Sequence, residues 1–304
     1  MIATLPSIQI LARTGAVVVK EGFSICFYMH RSHDDVTAVV IQALELYLQT
    51  IGRQALTYAP FDDGYWQKLE VPAPDFARKE LLERGFARVL LNDSAGDLGE
   101  YQFVYQGVAL DAPYDYHTPT KRHASAVSFW FPVSFLQSHG IKPFRDLALA
   151  LAKLLPFNSG HAGPSFLSWL GIDDLLQPMF QLGLRYPGMD IPDEHNNAYT
   201  VGDQLDGVHW MNFIGQPVLG AVGGTEALRA RLTHPGTSVE SLGEDRALVT
   251  LGAEPDAGDT AEGRRLPAYR ELARVLEPWL TSREAVRPYH ENEALLRWER
   301  RFLD

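Results

Sequence analysis

The stretch 207–232, "GVHWMNFIGQPVLGAVGGTEALRARL", carries glycines at 207, 215, 220, 223 and 224. Whether they cradle a phosphate or only bend the chain decides how the rest is read. A Walker loop needs Lys and Ser/Thr after its second glycine, whereas Gly220 is followed by Ala221 and Val222. A dinucleotide loop needs G-x-G-x-x-G, and no three of these glycines have that spacing. The structural reading fits. Gly215 ends the strand "VHWMNF", Pro217 opens a short helical turn, and Gly223 and Gly224 stop it, leaving Thr225 as a candidate cap for "EALRARL". "DRALVTLG" (245–252) returns as a strand, so the glycines bend a strand–helix–strand passage.

Two upstream regions follow the same plan. "AVVVKEGFSICFYM" (16–29) is β-branched and aromatic with a break at Gly22, which predicts a strand pair or a kinked strand. Val36, Val39, Val40, Ala43, Leu44, Tyr47, Leu48 and Ile51 then recur at 3–4 spacing, predicting a helix over 35–51. Ser32 and Asp35 are its capping candidates, Gly52 its stop, and "ALTYAP" (55–60) extended chain beyond it. The other passage runs from the strand "ASAVSFWFPVSF" (124–135) through the helix "IKPFRDLALALAKLLP" (141–156) to "SGHAGPSF" (159–166). The three passages share pattern rather than residue identity and hint at a duplicated plan. Further helices are expected at "PDFARKELLERG" (74–85), capped by Asp75, at "LPAYRELARVLEPWL" (266–280) and at "ENEALLRWERRFL" (291–303). "EYQFVYQGVAL" (100–110) alternates Tyr101, Phe103 and Tyr105 against Gln102 and Gln106, the period of a half-exposed strand. The fold class is therefore α+β, a mixed or largely antiparallel sheet with flanking helices rather than a doubly wound parallel one. It forms one domain over 1–304, with 1–120 and 121–304 as its natural subdomains.

A chain of 304 residues with 46% apolar and 21% charged side chains can bury a substantial core and does not read as disordered. The most apolar stretches, "VTAVVIQALELYLQTI" and "LALALAKLL", contain Glu45 and Lys153 and read as buried-face helices, so no membrane span is expected. No secretory leader is apparent, and the lone Cys26 suits a reducing compartment; the expected location is cytoplasmic. The net charge of −11 is uneven: residues 54–119 hold 5 basic and 11 acidic side chains, and residues 181–262 hold 4 and 13. Such regions repel nucleic acid and attract a basic protein. Oligomeric state cannot be read from the sequence.

Catalytic motifs are hard to find. G-x-S-x-G is absent, Cys26 lies in an apolar strand where a thiolate is costly, and Asp173–Asp174 suit helix capping. "RYPGMDI" (185–191) has Pro187 and Gly188 where a type II turn wants them. His30 and His33, beside Asp34 and Asp35, leave one alternative open, a metal-assisted or other hydrolase, although metal-binding spacings are missing. His117, His123 and His209 read as loop or sheet residues, and no cofactor is expected.

Taken together, "LGLRYPGMDI" (182–191), "LDGVHWMNFIGQPVLGAVGG" (205–224) and "EALRARL", with "FPVSFLQSHG" (131–140) and "SGHAGPSF" upstream, resemble the TsiV-like immunity family of type VI secretion. The likeness covers most of the chain and is firmest over 125–232. It implies a cytoplasmic protein that binds and neutralises a delivered effector toxin, with nucleases of the VRR-Nuc class prominent among the partners. The motifs that carry it are scaffold, so they transfer role and fold but no contact residue. From composition and loop position, the candidate partner-binding acids are Asp62, Asp63, Asp93, Asp97, Asp115, Asp190, Asp193 and Glu194. The candidate aromatic anchors are Tyr65, Trp66, Tyr114, Tyr116 and Tyr199. Each acid suits a solvated loop or turn cap as well, and Tyr65 and Trp66 suit a core. "APYDYHTPT" (112–120) reads best as a presented loop.

Overall fold

The computed structural model describes residues 5–60, 65–85, 87–95, 98–111, 120–168, 173–282 and 293–304. In chain order the strands are β1 (Gln9–Leu11), β2 (Val17–Met29), β3 (Tyr58–Pro60), β4 (Trp66–Lys68), β5 (Arg88–Asn92), β6 (Gln102–Gln106), β7 (Ser125–Pro132), β8 (Ser159–Ser168), β9 (Met211–Ile214), β10 (Thr237–Ser241) and β11 (Ala247–Leu251). The helices are α1 (His33–Ile51), α2 (Ala73–Arg78), α3 (Val133–His139), α4 (Ile141–Leu154), α5 (Asp173–Arg185), α6 (Glu194–Asn197), α7 (Val218–Val222), α8 (Gly224–Arg231), α9 (Pro267–Leu276) and α10 (Glu293–Glu299).

All eleven strands join one sheet in the order β10-β11-β9-β8-β2-β7-β6-β5-β3-β4, with β1 beside β2. Every ladder in it is antiparallel. β2 is its axis, pairing with β7 on one side and β8 on the other. β7 and β8, joined through α3 and α4, therefore run the same way with β2 threaded between them. The α+β, largely antiparallel architecture matches the expectation from sequence.

Side-chain alternation gives the sheet two unlike faces. On one lie Phe23, Ile25, Phe27, Phe103, Val127, Phe129 and Phe131, all fully buried. The apolar stripe of α1 sets Tyr47 edge-on against Phe129 and Phe131, with ring centroids 5.3 and 5.2 Å apart. α4 places Phe144 against Phe23 and Phe131 at 5.5 and 5.2 Å. The opposite face carries Ser24, Cys26, Tyr28, Gln102, Gln106, Ser128, Trp130 and His161, also buried but largely polar. It is covered by α6 and the segment leading into β9, and near its rim by α5 packed on α10.

Several local expectations are corrected. β2 runs unbroken through Gly22, where β8 pairs with it from Val19 to Tyr28 on one side and β7 from Gly22 to Met29 on the other. Gln102 and Gln106 are buried, so β6 is not half-exposed: α6 lies over their face. The helix expected over 74–85 is the six-residue α2 followed by a π-helical segment, Lys79–Glu83, and Asp75 sits in its first turn without capping it. Ser32 precedes α1 but its hydroxyl accepts from the Leu110 N–H at 3.0 Å instead of capping the helix. α8 begins at Gly224 with Gly223 at its cap position, so Thr225 lies inside the helix. The glycines do bend the chain: Gly223 ends α7 at φ 98°, a left-handed conformation that costs a side chain energy. The turn at Pro187–Gly188 is not type II, because Gly188 lacks a positive φ. Glycine is needed there for close approach, since a Cβ would sit 2.0 Å from the Asp256 carbonyl oxygen.

Candidate functional site

The most concentrated chemistry lies on the polar face. Antiparallel register sets Cys26 of β2 opposite Ser128 of β7 and His161 of β8, and His161 opposite Asn212 of β9. Asn212 fixes the backbone before β9: its Oδ1 accepts from the His209 N–H at 2.8 Å and its Nδ2 donates to the His209 carbonyl at 2.7 Å. The His209 ring is thereby stacked on His161, with centroids 3.7 Å apart and planes 12° from parallel. Asp190 arrives from the turn after α5. Its N–H donates to the Pro164 carbonyl and its carbonyl accepts from Phe166 N–H, both at 2.8 Å, pinning it beside β8. Its Oδ2 takes a hydrogen bond from His161 Nε2 at 2.9 Å, and its Oδ1 stands 3.9 Å from His209 Nδ1.

The three groups titrate as a unit. Burial opposes ionisation of Asp190, yet His161 and His209 outweigh it and hold the carboxyl well below its usual range. Burial pushes His161 down, but the adjacent Asp190 carboxylate wins and holds it above an ordinary imidazole. Burial and the His161 cation push His209 well below the usual value, so it is neutral. The result is a buried aspartate–imidazolium pair with a neutral ring stacked on it. Cys26 Sγ completes a set of metal-ligand atoms, Cys26, His161 and Asp190, within 4.8 Å of one another. Its thiol is pushed up by burial, which makes it a poor nucleophile.

Neighbouring polar groups stitch the covering segments to the sheet. Tyr28 donates to Asp206 Oδ2 at 3.0 Å, and Asn197 Nδ2 donates to the same oxygen at 2.7 Å. The buried Arg301 guanidinium donates through Nε to the Pro187 carbonyl at 2.8 Å and stacks over Trp298 with its carbon 4.1 Å from the ring centre. Glu194, at the start of α6, lines a slot of about 70 Å³ with Trp130, Ser168, Gln102, Gln106 and His195. Burial pushes its carboxyl up to about 7.

The expected site residues fall into three groups. Asp62, Asp63, Asp97, Tyr114, Asp115 and Tyr116, with most of the loop 112–120, lie outside the described residues. Asp190 and Glu194, expected on presented loops, are 1% and 2% exposed; the first balances an imidazolium and the second sits under its own helix, so neither side chain forms part of a surface. Asp93 accepts from the Glu100 N–H at 3.0 Å, Asp193 caps α6 through the Asn196 N–H at 3.2 Å, and Trp66 is half-buried on the edge strand β4. Tyr65 beside it is 74% exposed, and Tyr199 packs edge-on against the His123 ring.

The histidines of the hydrolase alternative do not meet. His30 Nδ1 donates to the His123 carbonyl at 2.6 Å, whereas His33 is buried against Tyr105, Thr37 and Leu81. Neither joins a metal-capable group among the described residues. Sequence reading missed His161, Asp190 and His209 as a unit. Each stands alone on its own segment, and only the register of β2, β8 and β9 brings them together.

Comparison with known proteins gives this geometry a context. The chain superposes on the structure of a Pseudomonas aeruginosa T6SS protein, PA0821, with a TM-score of 0.77 and 19% identity, covering 98% of this chain and 88% of that one. That likeness shows a shared fold. No curated protein matches the chain. The family model described as type VI immunity for VRR-NUC matches residues 39–302. The chain belongs to the TsiV family of type VI immunity proteins.

Proposed function

We propose that this protein neutralises a VRR-NUC-type effector by covering the face on which the toxin would hold nucleic acid, and that it does so as a binding protein without turnover. The family match over residues 39–302 carries this reading. Sequestration of the reactive side chains supports it: Cys26, His161, Asp190 and His209 are at most 3% exposed and serve one another rather than a substrate. A nuclease groove that attracts phosphates is basic, so acidic loops would speed encounter and compete with the substrate.

The contact surface we favour is centred on the β3–β4 hairpin at the edge of the sheet. Among the described residues, two of the four exposed large hydrophobic side chains, Tyr65 just before β4 and Val71 just beyond it, fall here. Asp62 and Asp63 lie in the segment that joins β3 to β4. Exposed apolar anchors close in sequence to acids suit a partner of basic surface. Asp97, Tyr114, Asp115 and Tyr116 join this proposed contact set, with Asp93, Asp193 and Trp66 contributing mainly by holding local structure. The action is cytoplasmic, where nucleic acid would be exposed to the toxin. No helix among the described residues is long and apolar enough to cross a membrane.

The test is co-purification of this chain with its cognate effector, scored by size-exclusion chromatography and by nuclease activity. A stoichiometric complex with suppressed DNA cleavage is expected. Full cleavage in the presence of excess protein would sink the proposal.

A further inference from the structure

His30 and Arg31, at the exit of β2, line a cleft of about 430 Å³. It forms at one end of the sheet, between the exit of β2 at His30–Arg31, the end of α4 at Lys153–Asn158, Gln216 after β9, and Asp245–Arg246 at the start of β11. Three cationic side chains, Arg31, Lys153 and Arg246, line it with one carboxylate, Asp245, which stands 3.5 Å from Arg246 Nε, in a chain whose net charge is −11.

The walls are preformed. Asn158 Oδ1 accepts from the His30 N–H at 2.7 Å and its Nδ2 donates to the Gln216 carbonyl at 2.8 Å, joining two sides. Arg246 is fixed through Nη1 to the Ala152 and Leu155 carbonyls at 3.1 and 3.2 Å, and over the Phe157 ring at 5.2 Å. His30 spends Nδ1 on the His123 carbonyl, which leaves Nε2 as its remaining polar atom. Arg31 and Lys153 are exposed and form no ion pair among the described residues. Lys153 complements the carbonyl end of α4, but no comparable local demand accounts for Arg31.

We propose that this cleft is a docking site for an acidic peptide segment of the partner protein, the carboxylates reaching Arg31 and Lys153 while Arg246 and His30 hold the floor. The shape and charge favour carboxylates over a phosphate. Phosphate sites present helix N-termini and converging backbone N–H groups. Here α4 presents its C-terminus, with the Ala152 and Leu155 carbonyls occupied by Arg246, and α7, which starts just past Gln216, is a single turn of five residues. Two long exposed cations carried on different segments, the β2 exit and the end of α4, suit monoanions spread along a chain. The inference rests on the immunity reading, with the effector as the partner; it adds a basic contact beside the acidic ones.

Fluorescein-labelled hexaglutamate is the probe, titrated by anisotropy at low salt against wild type and the Arg31→Glu/Lys153→Glu variant. Both positions are exposed, and an unchanged unfolding midpoint verifies the fold. Saturable binding weakened about tenfold or more in the variant is expected, because like charges then face the ligand. Equal affinity for both proteins, or displacement of the peptide by inorganic phosphate at lower concentration than by free hexaglutamate, would overturn the assignment. The same pair is titrated against the effector. An effector complex unaffected by the double substitution overturns the cleft assignment while sparing the immunity reading. Hexaglutamate binding by a protein that ignores the effector overturns the immunity reading and leaves the anion site standing.

Discussion

Replacing Glu194 by Gln is expected to stabilise the protein, and only above mildly acidic pH. Glu194 is 2% exposed beneath α6, and burial raises its carboxyl from 4.5 to about 7. A group whose folded pKa is raised supports folding below its unfolded value and loses that support as pH climbs through the folded one. Between pH 4.5 and 7 the unfolded chain ionises Glu194 freely while the folded chain resists. At about 1.4 kcal/mol for each tenfold step, that difference comes to about 3 kcal/mol. Gln has the same shape and no charge to bury. Unfolding by guanidinium, followed by tryptophan fluorescence from pH 4 to 8.5, should give equal stabilities at pH 4, a widening gap through pH 7, and a plateau about 3 kcal/mol in favour of the variant. Other titrating groups cancel in the difference. A gap independent of pH, or a variant weaker than wild type at pH 8, would refute the assignment of Glu194 as a buried carboxyl kept largely neutral.

Asp190→Asn leaves the His161 imidazolium without its counter-charge and should cost about 3–5 kcal/mol at pH 7, read by the same unfolding assay. Because the Asp190 carboxyl is held below its ordinary range, its contribution is present above about pH 4 and fades on further acidification, so the variant and wild type should converge there. Gly188→Ala drives a Cβ toward the Asp256 carbonyl and should lower stability by about 1–3 kcal/mol; an unaltered melting temperature would show that the turn yields freely. Asp62→Lys/Asp63→Lys should slow association with the effector about tenfold in stopped-flow at low salt, with the difference shrinking at high salt. A salt-independent rate would remove steering from the account.

Much of the scaffold was legible because its rules are local. The spacing of Val36, Val40, Leu44 and Tyr47 predicts α1 whatever it packs on, and Pro267 at a helix start needs no distant partner. Continuous apolar runs such as "AVSFWF" mark strands with both faces covered. Errors came where a neighbour decides. Gln102 and Gln106 read as solvent-facing because alternation cannot reveal that α6 lies over them. Gly188 read as a left-handed turn residue because a sequence shows that glycine is present, not that Asp256 presses against it. Asp190 and Glu194 read as loop acids for the same reason: polarity marks a loop in the chain, but the chain can fold that loop inward if a partner such as His161 balances the charge. Family role was legible from motif combinations, whereas contact residues were not, since binding surfaces answer to the partner.

The central claim is that this chain silences a VRR-NUC effector by occupancy. Isothermal titration of the purified effector with the protein, each injection point sampled for DNA cleavage, tests it most directly. The account predicts a one-to-one inflection, with cleavage falling in proportion to the complex formed and reaching baseline at equivalence. Cleavage that persists past equivalence, or that a catalytic trace of the protein suffices to abolish, would contradict it.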